Sequence, residues 1–133
     1  TYAGNPLGAS CALAVLDILD KGEIQESLKE KTPYFNNLIK EKFLNLDNVG
    51  EVRSIGLINA IELVDDKKNK IHFNSNYRLG YQIYKKALKK GVLLRPLGDV
   101  IYFNPPLIIE KEDMDFVVDV ARECTIEAIK ELK

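Results

Sequence analysis

From Gly91 the chain reads Val92-Leu93-Leu94-Arg95-Pro96-Leu97-Gly98-Asp99-Val100-Ile101-Tyr102-Phe103-Asn104-Pro105-Pro106. Two apolar, partly β-branched runs flank a Gly-Asp pair, and a double proline stops the second run. A Gly-Asp pair between such runs is a hairpin signal, and a hairpin pairs its strands antiparallel. A second pair of runs, Val49 to Ser54 and Leu57 to Val64, is joined at Ile55-Gly56. Its latter run is mostly apolar, as a strand buried within a sheet would be. Two strand pairs of this kind predict a small, mainly antiparallel sheet that other segments must cover.

Helical spacing supplies the cover. Asn5 reads as an N-cap and Pro6 as the first helical residue. The first helix then runs to about Asp20. Leu7, Cys11, Ala14, Val15, Ile18 and Leu19 lie on one face, and Gly8, Ala9, Ala12 and Leu13 make the other nearly as apolar. A helix apolar all round is normally buried. A chain of 133 residues can hardly cover both faces, so a partner surface is expected. A second helix spans roughly Glu23 to Asn45, with Ile24, Leu28, Phe35, Leu38, Ile39 and Phe43 as its stripe. Pro33 should kink or split it, with Thr32 as a cap for the second part. Asp65 to Asn76 reads as a polar loop. A third helix, Tyr77 to Lys90, aligns Tyr77, Tyr81, Tyr84 and Leu88 as a core or interface stripe. Strands at Val92 to Arg95 and Val100 to Phe103 follow, then a last helix from Lys111 to Leu132. After the N-terminal helix the order is α-β-β-α-β-β-α. It predicts an α+β fold with helices on one face of the sheet.

Composition narrows the function. Apolar residues make up 46% of the chain, enough for one sizeable core. Lysine plus arginine total 19 against 20 acids, which offers no electrostatic case for nucleic acid or an anionic membrane surface. No apolar run approaches the ~20 residues of a membrane span. The start, Thr1-Tyr2-Ala3-Gly4-Asn5-Pro6, lacks the basic region of a signal peptide. Cys11 and Cys124 stand in apolar, helix-like surroundings and are expected to be buried free thiols, which fits an expected reducing, cytoplasmic setting. His72 lies in the polar loop and is expected at the surface. The chain opens without Met, inside what reads as a loop leading to a helix, so a fragment is expected.

Few residues are candidates for chemistry. Arg95 ends a strand beside a turn, and a guanidinium grips both oxygens of a carboxylate at once. Taken alone it serves equally well as the partner of a nearby Asp or Glu. Thr1 precedes a Gly-containing turn at a helix start, where free N–H groups favour an anion; the same Gly-Asn-Pro is also simple capping. Arg53 sits between strands and reads as a surface or interface residue. Glu62, inside a strand, reads as paired or directed to solvent. No nucleophile triad, paired glycosidase carboxylates, P-loop or GxGxxG occurs. The residues alone leave an enzyme domain and a free-standing α+β binding module both open.

The ordered set of motifs is more specific. Thr1-Tyr2-Ala3-Gly4-Asn5-Pro6-Leu7 before an Ala-rich helix resembles the segment after the cofactor lysine in class III aminotransferases. These are fold-type-I enzymes that use pyridoxal 5'-phosphate (PLP). Arg53-Ser54-Ile55-Gly56-Leu57-Ile58-Asn59-Ala60-Ile61-Glu62-Leu63 resembles their Arg-x-x-Gly-x-x-x-Ala-Ile-Glu-Leu strand pair. Gly91 to Pro96 and the Pro105-Pro106-Leu107 exit complete the match. Tyr102 stands where many members carry arginine, and the arginine lies earlier, at Arg95. That pattern resembles the subgroup that transfers an amino group from S-adenosylmethionine to 8-amino-7-oxononanoate in biotin synthesis.

The resemblance implies that Arg95 binds a substrate carboxylate, with Tyr102 close by. It implies that Thr1 donates to the PLP phosphate at a homodimer interface. Residues 1–22 would end the PLP-binding large domain and connect it to a small domain, residues 23–133. The Schiff-base lysine of the family has no counterpart here, so the 133-residue chain alone is expected to be inert.

Overall fold

The computed structural model describes residues 3–132. Its elements are α1 (Pro6–Asp20), α2 (Glu23–Phe43), β1 (Val49–Ile55), β2 (Ile58–Leu63), a short 3₁₀ turn (Ser75–Tyr77), α3 (Leu79–Lys89), β3 (Arg95–Leu97), β4 (Val100–Phe103) and α4 (Lys111–Lys130). The strands form one fully antiparallel sheet in the order β1-β2-β4-β3. The α+β architecture is therefore the one that the two strand pairs predict. Gly56 (φ 56°) and Gly98 (φ 60°) sit at the two hairpin turns in the left-handed region, which costs glycine almost nothing.

Period-two burial shows which face is covered. Asn59, Ile61 and Leu63 of β2 and Ile101 and Phe103 of β4 are buried. Over them lie Phe35, Ile39 and Phe43 of α2, Leu79, Ile83 and Ala87 of α3, and Met114, Val118, Ala121 and Cys124 of α4. Helix α4 lies between α2 and α3 and touches both. Among the described residues, no helix packs on the opposite face of the sheet. Asn59 is polar yet fully buried, and its amide is satisfied: it donates to Asn36 Oδ1 (2.8 Å) and accepts from the Ser54 hydroxyl (2.5 Å). That network ties α2 to both strands of the first hairpin.

Several expectations change. Pro33 does not split α2, which runs unbroken through it. Pro33 is exposed, so water can serve the carbonyl that its missing N–H leaves free, while the packing of Phe35, Ile39 and Phe43 holds the rest. The strand expected over Val92 to Arg95 begins only at Arg95. Val92 and Leu94 bury their side chains on the way from α3 to the sheet edge, but β4 offers partners only from Arg95 onward. The tyrosine stripe is not core. Leu79, Gly80, Ile83 and Ala87 form the buried face of α3, and Tyr77, Tyr81 and Leu88 are exposed. Cys124 is buried as expected, whereas Cys11 is exposed because α1 buries no residue at all. Leu7, Leu13, Val15, Leu16 and Ile18 of α1 all stay at least half exposed. Asn5 caps α1 as read, accepting from the Leu7 N–H at 3.1 Å. Among the described residues no helix is long and apolar enough to cross a membrane.

A candidate carboxylate site at the sheet edge

Directly opposed residues in antiparallel strands project to the same face. The register places Arg95 opposite Tyr102, Tyr102 opposite Ala60, and Ala60 opposite Arg53. One row therefore crosses all four strands on the open face, with an arginine at each end. Three strand spacings separate these arginines, about 14 Å.

The two arginines have different electrostatic surroundings. Arg53 Nη1 lies 2.6 Å from Glu51 Oε2 and 2.9 Å from Glu62 Oε2. Its hydrogen bonds to Glu51 and then Glu62 hold the guanidinium pKa above the ordinary arginine value. Arg53 is thus a paired surface residue, and Glu62 is its partner, with His72 4.0 Å away on the other oxygen. Arg95 is exposed and makes no ion pair or side-chain hydrogen bond among the described residues. Of the two roles open to Arg95, pairing with a neighbouring acid is not the one taken here.

Arg95 and Tyr102 stand at the rim of an open cleft of about 420 Å³. Phe35, Leu94, Phe103, Pro105, Ile109 and Val117 give it an apolar wall. Among the described residues Arg95 is its only charged lining residue. One fixed cation, one phenol and an aliphatic and aromatic wall suit an anion carried on an apolar chain. The sequence motif names Arg95, Tyr102, Phe103 and Pro105. It misses Phe35 and Val117, which arrive from distant helices with no local signal beyond their helical periodicity. Thr1 lies outside the described residues.

The described residues do not by themselves fit a PLP site. Among the described residues the cleft has no lysine for an imine and no acid to face a pyridine nitrogen. What the described residues offer is a candidate binding surface, without the groups of a reacting centre.

At the tip of the β3–β4 turn, burial pushes the Asp99 carboxyl above its usual range, against the opposing pull of the Gly80 amide and His72. A raised carboxyl pKa means that the ionised form is disfavoured in the fold. The penalty is present above the folded pKa and is relieved as pH falls through it. Asp99→Asn is therefore expected to be at least as stable as the natural protein at neutral pH, with the difference closing in acid. Thermal melts across a pH series measure this, and a neutral-pH loss of stability would contradict it.

Comparison with known proteins gives the family and the fold. The family model described as Aminotransferase class-III matches residues 1–124. Uncharacterized aminotransferase y4uB of Sinorhizobium fredii is 41% identical over 99% of this chain and 29% of its own length. The adenosylmethionine-8-amino-7-oxononanoate aminotransferase of Aquifex aeolicus is 40% identical over 100% of this chain and 28% of its own length. The putrescine–pyruvate aminotransferase of Pseudomonas aeruginosa is 33% identical over 93% of this chain and 27% of its own. Among solved structures, the adenosylmethionine-8-amino-7-oxononanoate aminotransferase of Methanocaldococcus jannaschii superposes with a TM-score of 0.89. It is 37% identical, over 96% of this chain and 29% of that one. The chain thus spans less than a third of the length of these relatives.

Proposed function

This chain belongs to the class III aminotransferase family, whose members depend on PLP, and we propose that it is the small-domain part of one that aminates 8-amino-7-oxononanoate. S-adenosylmethionine is the proposed amino donor, and biotin synthesis the proposed setting. Residues 1–22 then close the cofactor-binding domain and lead into the small domain, residues 23–133. The observation that carries the substrate assignment is Arg95: an arginine with no acidic partner among the described residues, opposite Tyr102, at the mouth of an apolar cleft.

The chain's own residues would then act by binding and orientation. The Arg95 guanidinium holds the tail carboxylate with two parallel N–H donors. The Tyr102 phenol lies beside it on the same face of the sheet. Phe35, Phe103, Pro105 and Val117 line the path of the aliphatic chain and exclude water from it. Holding the tail sets the keto end at a fixed distance, so remote binding is converted into orientation at the reacting carbon. The exposed leucines and valine of α1 are consistent with a homodimer in which a partner covers that helix, and Thr1 would serve the cofactor phosphate there.

A second reading is another class III specificity, an ω-amino acid or amine transaminase, which the putrescine–pyruvate relative favours. Steady-state assays of the full-length protein separate them. Turnover of 8-amino-7-oxononanoate with S-adenosylmethionine is expected, and the 133-residue chain alone is expected to show none. Turnover of pyruvate with a diamine, and none of 8-amino-7-oxononanoate with either S-adenosylmethionine or lysine, would overturn the first reading.

A further inference from the structure

Gly80 is the second residue of α3 and is buried. Its φ lies outside the left-handed region, so backbone conformation does not call for glycine. Glycine also weakens a helix relative to alanine. The reason for it is steric. A Cβ at this position would stand 2.2 Å from the Gly98 carbonyl oxygen and 2.8 Å from Pro96 Cβ. The nearer atom is backbone and cannot swing aside. Only glycine lets the first turn of α3 touch the β3–β4 turn.

That turn is held from two further directions. The Leu63 N–H of β2 donates to the Asp99 carbonyl at 3.0 Å. The Asp99 carboxyl, half-buried, stands beside the Gly80 amide. Helix α3 receives no side-chain cap from its own N-cap residue, Arg78, so its start is held by the contact with the turn. The strand beyond the turn needs such support. β3 is three residues long, lies at the sheet edge and contains Pro96, which gives the ladder no N–H. Arg95 is its first residue, farthest from the turn.

We infer that Gly80 and Asp99 are positioning residues for Arg95: the contact of α3 with the β3–β4 turn fixes the short strand, and hence the guanidinium, against the cleft. This inference rests on the proposed carboxylate role of Arg95. The experiment measures KM and kcat for 8-amino-7-oxononanoate in the full-length protein carrying Gly80→Ala, Asp99→Ala, Asp99→Asn and Arg95→Ala, singly and with each of the first two combined with the last. Gly80→Ala and Asp99→Ala are each expected to raise KM about 10-fold with kcat little changed, less than the roughly 100-fold cost of a 1 Å misplacement. Asp99→Asn, which keeps the size and half-buried packing of the side chain in the turn against α3, is expected to restore most of the affinity. On the Arg95→Ala background neither variant is expected to add anything, because both act through the same group. An unchanged KM in both single variants, or effects that persist in full without Arg95, would overturn the inference alone. An unchanged KM in Arg95→Ala would overturn the carboxylate assignment as well. Gly80→Ala carries the steric clash and risks misfolding; the Asp99 pair, which adds no atom at the contact, keeps the inference testable in that event.

Discussion

Arg95→Ala in the full-length protein is expected to raise KM for 8-amino-7-oxononanoate by roughly 30- to 1,000-fold, which is about 2–4 kcal/mol. On the proposed reading, the magnitude follows from truncating one partner of a charge pair that would become desolvated when substrate fills the cleft. The expected change lies in KM, with kcat nearly preserved, because the tail interaction is the same in ground and transition states. Arg95→Lys keeps the charge and loses the two-pronged fork, so its KM should fall between the two. Stability should scarcely move: Arg95 is exposed and pairs with nothing among the described residues, and such surface changes stay within about 0.5 kcal/mol. A keto substrate of the same length with an uncharged tail provides the control, since it has no carboxylate to lose. Equal KM values for the natural protein and Arg95→Ala would remove the carboxylate assignment.

The parts of this fold that were legible in the sequence are those set by local chemistry. Gly56 and Gly98 adopt the left-handed conformation that short turns need, and Asn5-Pro6 starts α1 as its capping preference dictates. Arg95 and Tyr102 face each other because a tight turn fixes the register of its own strands. Long-range packing was not legible in the same way. Helical spacing gives a tyrosine stripe on α3, whereas the tertiary fold turns Leu79, Ile83 and Ala87 inward instead, a choice that periodicity alone does not make. Pro33 carries a real local penalty, yet three aromatic and aliphatic anchors in α2 outweigh it. Cys11 looked buried because its neighbours are apolar, but burial needs a second surface, and the described residues give α1 none. Gly80 shows the limit most clearly. A glycine inside a helical pattern announces only a weak point until the carbonyl of Gly98 is seen against it.

Phe35→Ala is expected to act on both the core and the cleft. Phe35 is fully buried and meets Phe103 edge to face, with ring centroids 5.8 Å apart at 81°. Removing a buried phenylalanine costs about 3–5 kcal/mol, from lost transfer energy and the cavity left behind. Loss of the aromatic pair is part of that cost, about 0.5–1.5 kcal/mol. A domain is typically stable by only about 5–15 kcal/mol, so this one change removes a large share. Hydrogen exchange at the Ile61 and Ile101 amides reports the opening of the sheet beneath α2, and should accelerate by two to three orders of magnitude, roughly. Phe35→Leu keeps most of the volume and should lose less. An exchange rate changed less than about fivefold, under 1 kcal/mol, would mean that Phe35 does not hold α2 to the sheet as described. The same ring walls the cleft beside Arg95, so Phe35→Ala should also weaken keto-acid binding under conditions where it remains folded. Arg95→Ala weakens binding without touching the core. A substrate lacking the carboxylate should therefore respond to Phe35→Ala and ignore Arg95→Ala, which separates the wall of the site from its charge.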